Sequence, residues 1–305
     1  MASLGLARIS VSVSSIPEAL RFYHDRAGMT LLGEGELEVP ELEGLLRLPG
    51  NTRARAALLG YERQPTRVQL VEFSPPAMRT IRRTGADWDY GIYDIAFFVE
   101  GLEALYREMT AEGGSFINPP VSYHPFGQPV KETVFNAPGA VHLAHLEMGA
   151  EKMDGKWRYK GIADSASFVA DKETALRFYR DLLGLEVVAA VDLPRGALDR
   201  LVGLPPGSAA SLAFVGKPGT HSAMVAIIQF SARGKPLASL ARPPSLGIYM
   251  LSFEVDDLDR ILAGAAAARW PVLSGPVRIT SALEGHRRAA TLEGPSGALV
   301  EIFQR

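Results

Sequence analysis

Two stretches of this 305-residue chain carry the same pattern. Residues 8–31 read RISVSVSSIPEALRFYHDRAGMTL, and residues 164–187 read DSASFVADKETALRFYRDLLGLEV. Each runs as an alternating strand, a short polar turn, an amphipathic helix, a glycine stop and a second strand. Both hold the run Ala-Leu-Arg-Phe-Tyr, an Asp two places after the Tyr and a Gly three places after that. Tyr23 and Tyr179 are 156 positions apart, about half the chain. The sequence is therefore an internal duplication, and its fold must be built from a repeated supersecondary unit.

The first unit places a strand at 6–13. Ser14-Ser15-Ile16-Pro17 signals a helix start, Ala19, Leu20, Phe22 and Tyr23 form an apolar stripe, and Gly28 ends the helix. A strand begins at 29–33, residues 40–48 form a short inserted helix, and strands at 54–60 and 67–74 complete a β-α-β-β-β unit. A connector at 75–90 leads to a shorter copy, with a strand at 92–99, a helix at 102–112 and strands at 121–123, 130–135 and 140–148. The polar run 151–160 reads as a linker, with Trp157 expected to pack the halves together. A third unit carries an insertion at 195–204. The fourth opens on GIYMLSFEV (247–255), an echo of GIYDIAFFV (91–99).

The chain thus divides into an N-terminal domain 1–150 (units 6–75 and 91–149), the linker 151–160 and a C-terminal domain 161–305 (units 161–232 and 246–305). The expected fold class is α+β. Consecutive units pair into two cup-shaped half-barrels, with helices outside and an interior available to a ligand.

A net charge of −2 gives no general attraction to nucleic acid or to an anionic membrane. Arg79, Arg82 and Arg83, and likewise Arg287 and Arg288, read as small solvated clusters. The absence of cysteine removes disulfides, thiolate ligands and a Cys nucleophile. No secretory signal is visible, and no apolar run reaches the roughly 18–20 residues that span a bilayer. The expectation is a cytoplasmic protein whose partner is a small-molecule substrate or ligand, with no nucleic acid and no membrane; a homodimer stays open.

The stretch VADKETALRFYRDLLGLEV and the closing EGPSGALVEIF (293–303) resemble the unit signature and the ending of the vicinal oxygen chelate superfamily. That group includes glyoxalase I, extradiol dioxygenases, methylmalonyl-CoA epimerase, and the fosfomycin- and bleomycin-resistance proteins. The resemblance implies the glyoxalase/dioxygenase-like cup, and in many members a divalent metal at its base. His on the first strand of each unit and Glu on the last would then be its ligands.

The first-strand position holds Arg8, Asp94, Asp164 and Met250 in the four units, with no histidine. The last-strand position is Glu301 in the fourth unit. It is Ala226 or Gln229 in the third, Gln69 or Glu72 in the first, and Ala144 or Leu143 in the second. A divalent metal is thus doubtful, with Asp164 and Glu301 as its weak candidate ligands, and no other cofactor is expected.

With units paired in chain order, Asp164 and Glu301 would share the C-terminal cup opposite Met250, while Arg8 and Asp94 would form a salt bridge in the N-terminal one. The candidate catalytic residues are Asp94 or Asp164 as general base, Glu301 as the neighbour that tunes Asp164, and Arg8 to steady an anion. Tyr123, His124 and Phe126 on a cup-edge loop, together with Met250 and His142, are candidate substrate contacts. His142 and His145 should lie on opposite faces of their strand, one in the core and one exposed. Tyr93 and Tyr249 should point under the helices, and His24 and His221 should be exposed. Two functions follow from the resemblance. One is an enzyme of lyase, isomerase or ring-opening type acting on a small aromatic or carbonyl-containing metabolite. The other is a metal-free sequestering protein of the bleomycin-resistance kind.

Overall fold

Alternation in the first strand sends Ile9 and Val11 to one face, where both are fully buried, and Arg8, Ser10 and Ser12 to the other. The computed structural model describes residues 3–76, 79–82, 88–148, 158–217, 219–220 and 222–305. Residues 151–157, including Trp157, lie outside these, as does His221. The first unit contributes β1 (Ser3–Ser12), β2 (Thr30–Glu36), β3 (Arg53–Gly60) and β4 (Arg67–Ser74). The second contributes β5 (Gly91–Ile92), β6 (Asp94–Val99), β7 (Val121–Tyr123), β8 (Val130–Ala137) and β9 (Val141–Met148). The third contributes β10 (Tyr159–Phe168), β11 (Glu186–Leu193), β12 (Ala210–Gly216) and β13 (Met224–Phe230). The fourth contributes β14 (Gly247–Val255), β15 (Val272–Ser281), β16 (Gly285–Glu293) and β17 (Leu299–Gln304). Tyr159 and Lys160, read as linker from the sequence, already belong to β10.

The four units form two curled sheets, but they do not pair in chain order. One sheet runs β15-β16-β17-β14-β1-β4-β3-β2, and the other runs β11-β12-β13-β10-β6-β9-β8-β7. The first unit therefore joins the fourth through the antiparallel pair β1/β14, and the second joins the third through β6/β10. We call these the outer cup and the inner cup. A repeat of 156 residues maps unit one onto three and two onto four. Either pairing respects that symmetry, so the repeat alone could not choose between them.

The unit helices start where the sequence signals them. Ser15 accepts from the Glu18 N–H at 3.3 Å, Asp171 from Thr174 at 2.7 Å and Asp257 from Arg260 at 2.9 Å. In units one and three the helix widens into a π-helical turn, Arg21–Arg26 and Arg177–Leu182. The widening lets adjacent aromatics, Phe22 with Tyr23 and Phe178 with Tyr179, all stay buried. Gly28 and Gly184 end these helices in the left-handed region, at φ 70° and 71°.

One continuous core takes side chains from both sheets and all four unit helices. Phe22 of unit one packs on Phe97, Phe135 and Tyr159 of the inner sheet, and Tyr179 of unit three packs on Phe253 of the outer sheet. Burying each such ring contributes about 1.5–3 kcal/mol, so each helix ties the two sheets together.

Both central seams carry a β-bulge at the same repeat position. Opposite Asp164 and Ser167 the partner residues are Ala96 and Ile92, one more than regular pairing allows. In the outer sheet Ser10 pairs with Met250 and Val11 with Ile248, leaving Tyr249 as the extra residue. A bulge breaks the two-residue alternation. Tyr93 and Tyr249 consequently turn into the cups beside Asp94 and Met250 rather than under the helices as expected.

Candidate functional site

The register of the parallel pairs settles the last-strand positions. Gln69 lies opposite Ser10, Ala144 opposite Ala96, Ala226 opposite Ala166 and Glu301 opposite Ser252. The residues three further along, Glu72, Glu147, Gln229 and Gln304, do a different job in every unit. Each accepts from a backbone N–H at its own helix start: Ile16 at 2.8 Å, Gly101 at 2.7 Å, Lys172 at 2.7 Å and Leu258 at 3.2 Å. The four ligand positions of the outer cup are thus Arg8, Met250, Gln69 and Glu301. Those of the inner cup are Asp94, Asp164, Ala144 and Ala226.

The outer cup is filled. Its inserted helix, Pro40–Leu45, packs Leu42 and Leu45 into the interior. Met250 is buried in the same apolar fill, beside Tyr249 and Leu299. Arg8 hydrogen-bonds Glu284 and Glu301. Arg287 reaches Glu41 at 2.5 Å and stands 3.4 Å from Glu284 and 3.5 Å from Glu301. Ser252 donates to Glu301 at 2.6 Å. Burial alone would push the Glu301 carboxyl up, but Arg8, Arg287 and Ser252 outweigh it and hold it below its ordinary value. Two guanidinium groups thus pair with three carboxyls in one buried network.

Three expectations are corrected here. Arg8 pairs with Glu301 and Glu284, not with Asp94. Glu301 is in the other sheet from Asp164, so the two are neither a tuned pair nor a shared ligand set. Arg287 is buried rather than solvated.

The inner cup is different. Asp94, Asp164 and Glu132 converge from β6, β10 and β8 on one cavity, with Tyr93, Tyr123, Phe168, Phe214 and Phe230 among its walls. About 50 Å³ of it is free, and the inserted helix Asp199–Val202 covers it with Leu201 and Val202. Ala226, at one position where the superfamily would place a ligand, borders this space, and Ala144, at the other, is buried in the same apolar cluster. Asp94 accepts from the Ala166 N–H at 3.0 Å. Tyr123 donates to Glu132 at 2.5 Å.

Burial raises the Asp94 carboxyl to about 7, against the opposing effects of the Ala166 N–H and Arg82. Glu132 is pushed up to about 8 by burial and the nearby Asp94, with the Tyr123 bond opposing. Asp164 is raised well above its usual value by burial and by its two carboxyl neighbours. Arg82, expected at a solvated face, is buried behind the wall. It donates to the Ile92, Asp89 and Gly91 carbonyls and lies 5.1 Å from the Tyr93 ring centre and 5.6 Å from that of Phe168.

Of the remaining candidates, Tyr123 lines the cup, whereas His124 is exposed. Phe126 is 47% exposed at the rim, with its ring 6.2 Å from Phe214. His142 and His145 do face opposite ways, but both are buried. His142 lies 4.7 Å from the Tyr93 ring. His145 sits among Phe22, Phe135 and Tyr159, and burial lowers its pKa to about 3, which leaves it a neutral core residue. Glu132 was missed, although strand alternation sets it on the same face as the buried Val130 and Val134.

Neither cup fits the histidine-containing metal centre that the superfamily implies. In the outer cup the Arg8 guanidinium binds the one carboxylate that is in place. In the inner cup the donors are carboxyls alone, and among the described residues no group of three His, Cys, Asp or Glu is spaced to hold a metal ion. A larger cavity of about 620 Å³ borders the outer cup, lined by Glu284 of its ion network together with Arg67, Lys217 and Arg305. Lys217 and Arg305 are exposed there.

A model of the Glyoxalase/Bleomycin resistance protein/Dioxygenase superfamily matches residues 5–128 and 161–302. The chain belongs to that superfamily. Glyoxalase I from Zea mays has a similar structure, with a TM-score of 0.63 at 13% identity over 98% of this chain and 92% of that one. A mutant of the same enzyme gives 0.67 at 14% identity, over the same shares. A putative dioxygenase from Bacillus subtilis gives 0.62 at 14% identity, over 99% of this chain and 86% of that one. At such identities the likeness speaks for the superfamily fold. No curated protein matches the sequence. No helix among the described residues is long and apolar enough to cross a membrane.

Proposed function

We propose that the inner cup binds a small aromatic or carbonyl-containing metabolite and moves a proton on it, as a lyase or isomerase does. The observation that carries this reading is the convergence of three buried carboxyls on one aromatic-walled cavity. General acid–base catalysis works best with groups that titrate near the working pH, and burial brings Asp94 to about 7. Ionised Asp94 removes a proton from the carbon beside a carbonyl. Glu132, backed by Tyr123 and raised to about 8, returns one to the carbonyl oxygen. The sequence conserves electrons and needs no oxidant. The outer cup, whose buried charges are paired with one another, is scaffold.

Solvent-exchange NMR in D2O on a panel of aryl ketones and aromatic 2-oxo acids, with and without an amino group, tests this. Exchange at the activated carbon should fall by about 10²–10⁴-fold in Asp94→Asn. Exchange that survives Asp94→Asn combined with Glu132→Gln would sink the proposal. The stacked Tyr93 and Phe168 rings, 4.1 Å apart, favour a second reading in which the cup only sequesters a planar ligand. Saturable binding with no exchange in any panel member is its signature.

A further inference from the structure

The two cups balance their charges differently. In the outer cup each carboxyl of the network has a guanidinium partner. In the inner cup the cation beside the three carboxyls, among the described residues, is Arg82, which stands behind the Tyr93 and Phe168 rings and donates to backbone carbonyls. Asp94 has the Ala166 N–H and Glu132 has the Tyr123 hydroxyl. For Asp164, a residue 6% exposed that lines the cavity, neither kind of partner is seen among the described residues. A buried carboxyl without a donor costs stability, and it persists where something else completes it. The walls around it are π faces, which attract cations.

We propose that the inner cup is completed by a small organic cation, an ammonium group that pairs with Asp164 and carries an apolar or aromatic body against the rings. This rests on the reading of the inner cup as the ligand site and narrows it to a charge class. The titratable groups that line the cavity with Asp164 are Tyr93 at the bulge before β6, Asp94 on β6, Glu132 on β8 and Tyr123 on β7. The strands β9, β12 and β13 and the Asp199–Val202 helix turn only apolar side chains to the cavity. Among the described residues that line the cavity none carries a positive charge. Burial and the two neighbouring carboxyls favour the protonated form of Asp164, and an arriving ammonium favours the ionised one, so binding should release a proton to solvent.

Calorimetric titration of the full chain with benzylamine, benzyl alcohol and benzoate tests the inference. Benzylamine should bind about tenfold more tightly than the other two, the effect of one charge-assisted hydrogen bond. Asp164→Asn should erase that preference, weakening benzylamine far more than benzyl alcohol. If Asp164→Asn does not fold, the wild-type chain still decides. Benzylamine heats should differ between buffers of unequal ionisation enthalpy, and benzyl alcohol heats should not.

Benzoate or benzyl alcohol binding as tightly as benzylamine would overturn the charge class and leave the ligand site standing. A benzylamine preference that persists in Asp164→Asn, or benzylamine heats equal in both buffers, overturns it as well. So does Mn²⁺ binding that needs Asp164 and that benzylamine does not displace. Failure of all three probes to bind overturns both the inference and the site.

Discussion

At the scale of single residues, the inner cup should leave a signature in stability as well as in activity. Asp94 and Glu132 have folded-state pKa values above those of the free side chains, so the folded protein holds their protons more firmly than the unfolded chain does. Their contribution is complete below about pH 4 and is lost as pH rises through about 7 for Asp94 and about 8 for Glu132. Thermal unfolding followed from pH 5 to 9 should show this decline, on the order of a few kcal/mol in all. Asp94→Asn with Glu132→Gln should make it shallower, leaving the share that belongs to Asp164; an equally steep decline in that variant would show that Asp94 and Glu132 are not its source.

Arg8 offers the contrasting case. Arg8→Met leaves Glu301 and Glu284 buried without their partner and should cost about 3–5 kcal/mol in denaturant unfolding. Since the outer cup is scaffold, the chemistry of the folded fraction should persist. A stability change below 1 kcal/mol, or activity lost from protein that remains folded, would argue against that assignment.

At the scale of elements, the two inserted helices are the parts that distinguish a filled cup from a covered one. Leu45 of Pro40–Leu45 is 3% exposed and accepts hydrogen bonds at its carbonyl from Ser274 and Thr291. Leu45→Ala should therefore cost about 2–5 kcal/mol, as a core truncation does. Leu201 of Asp199–Val202 roofs the inner cavity instead. Leu201→Ala should enlarge that cavity and shift ligand affinity by more than it shifts the unfolding midpoint. Equal effects of the two substitutions on unfolding, with no change in binding, would remove the distinction.

The unit helices and most strands were legible because periodicity, caps and glycine stops are local signals. So were the insertions, which interrupt a repeat. The inward turn of Tyr93 and Tyr249 was not legible, because a bulge is set by the partner strand's register. The grouping of Asp94 with Asp164 depended in the same way on which strand edges meet, and sequence spacing does not encode that.

At the scale of the whole molecule, each half of the chain supplies one unit to each sheet. A chain cut between Met148 and Arg158 should therefore yield two fragments that co-elute as one particle and that require each other to fold. Two fragments that purify separately, each folded and monomeric, would contradict the pairing of β1 with β14 and β6 with β10. The same nesting sets an order of assembly. The inner seam joins Ala96 to Asp164, 68 residues apart, whereas the outer seam joins Ser10 to Met250, 240 apart. By loop closure alone the longer span costs about 1 kcal/mol more. On a ribosome the difference is larger in kind than in energy. Every strand of the inner cup has been made once Phe230 emerges, while β1 still lacks the neighbour that will cover its edge. The acidic cavity belongs to the sheet that can form first, and the first unit must wait, one strand edge open, for the last.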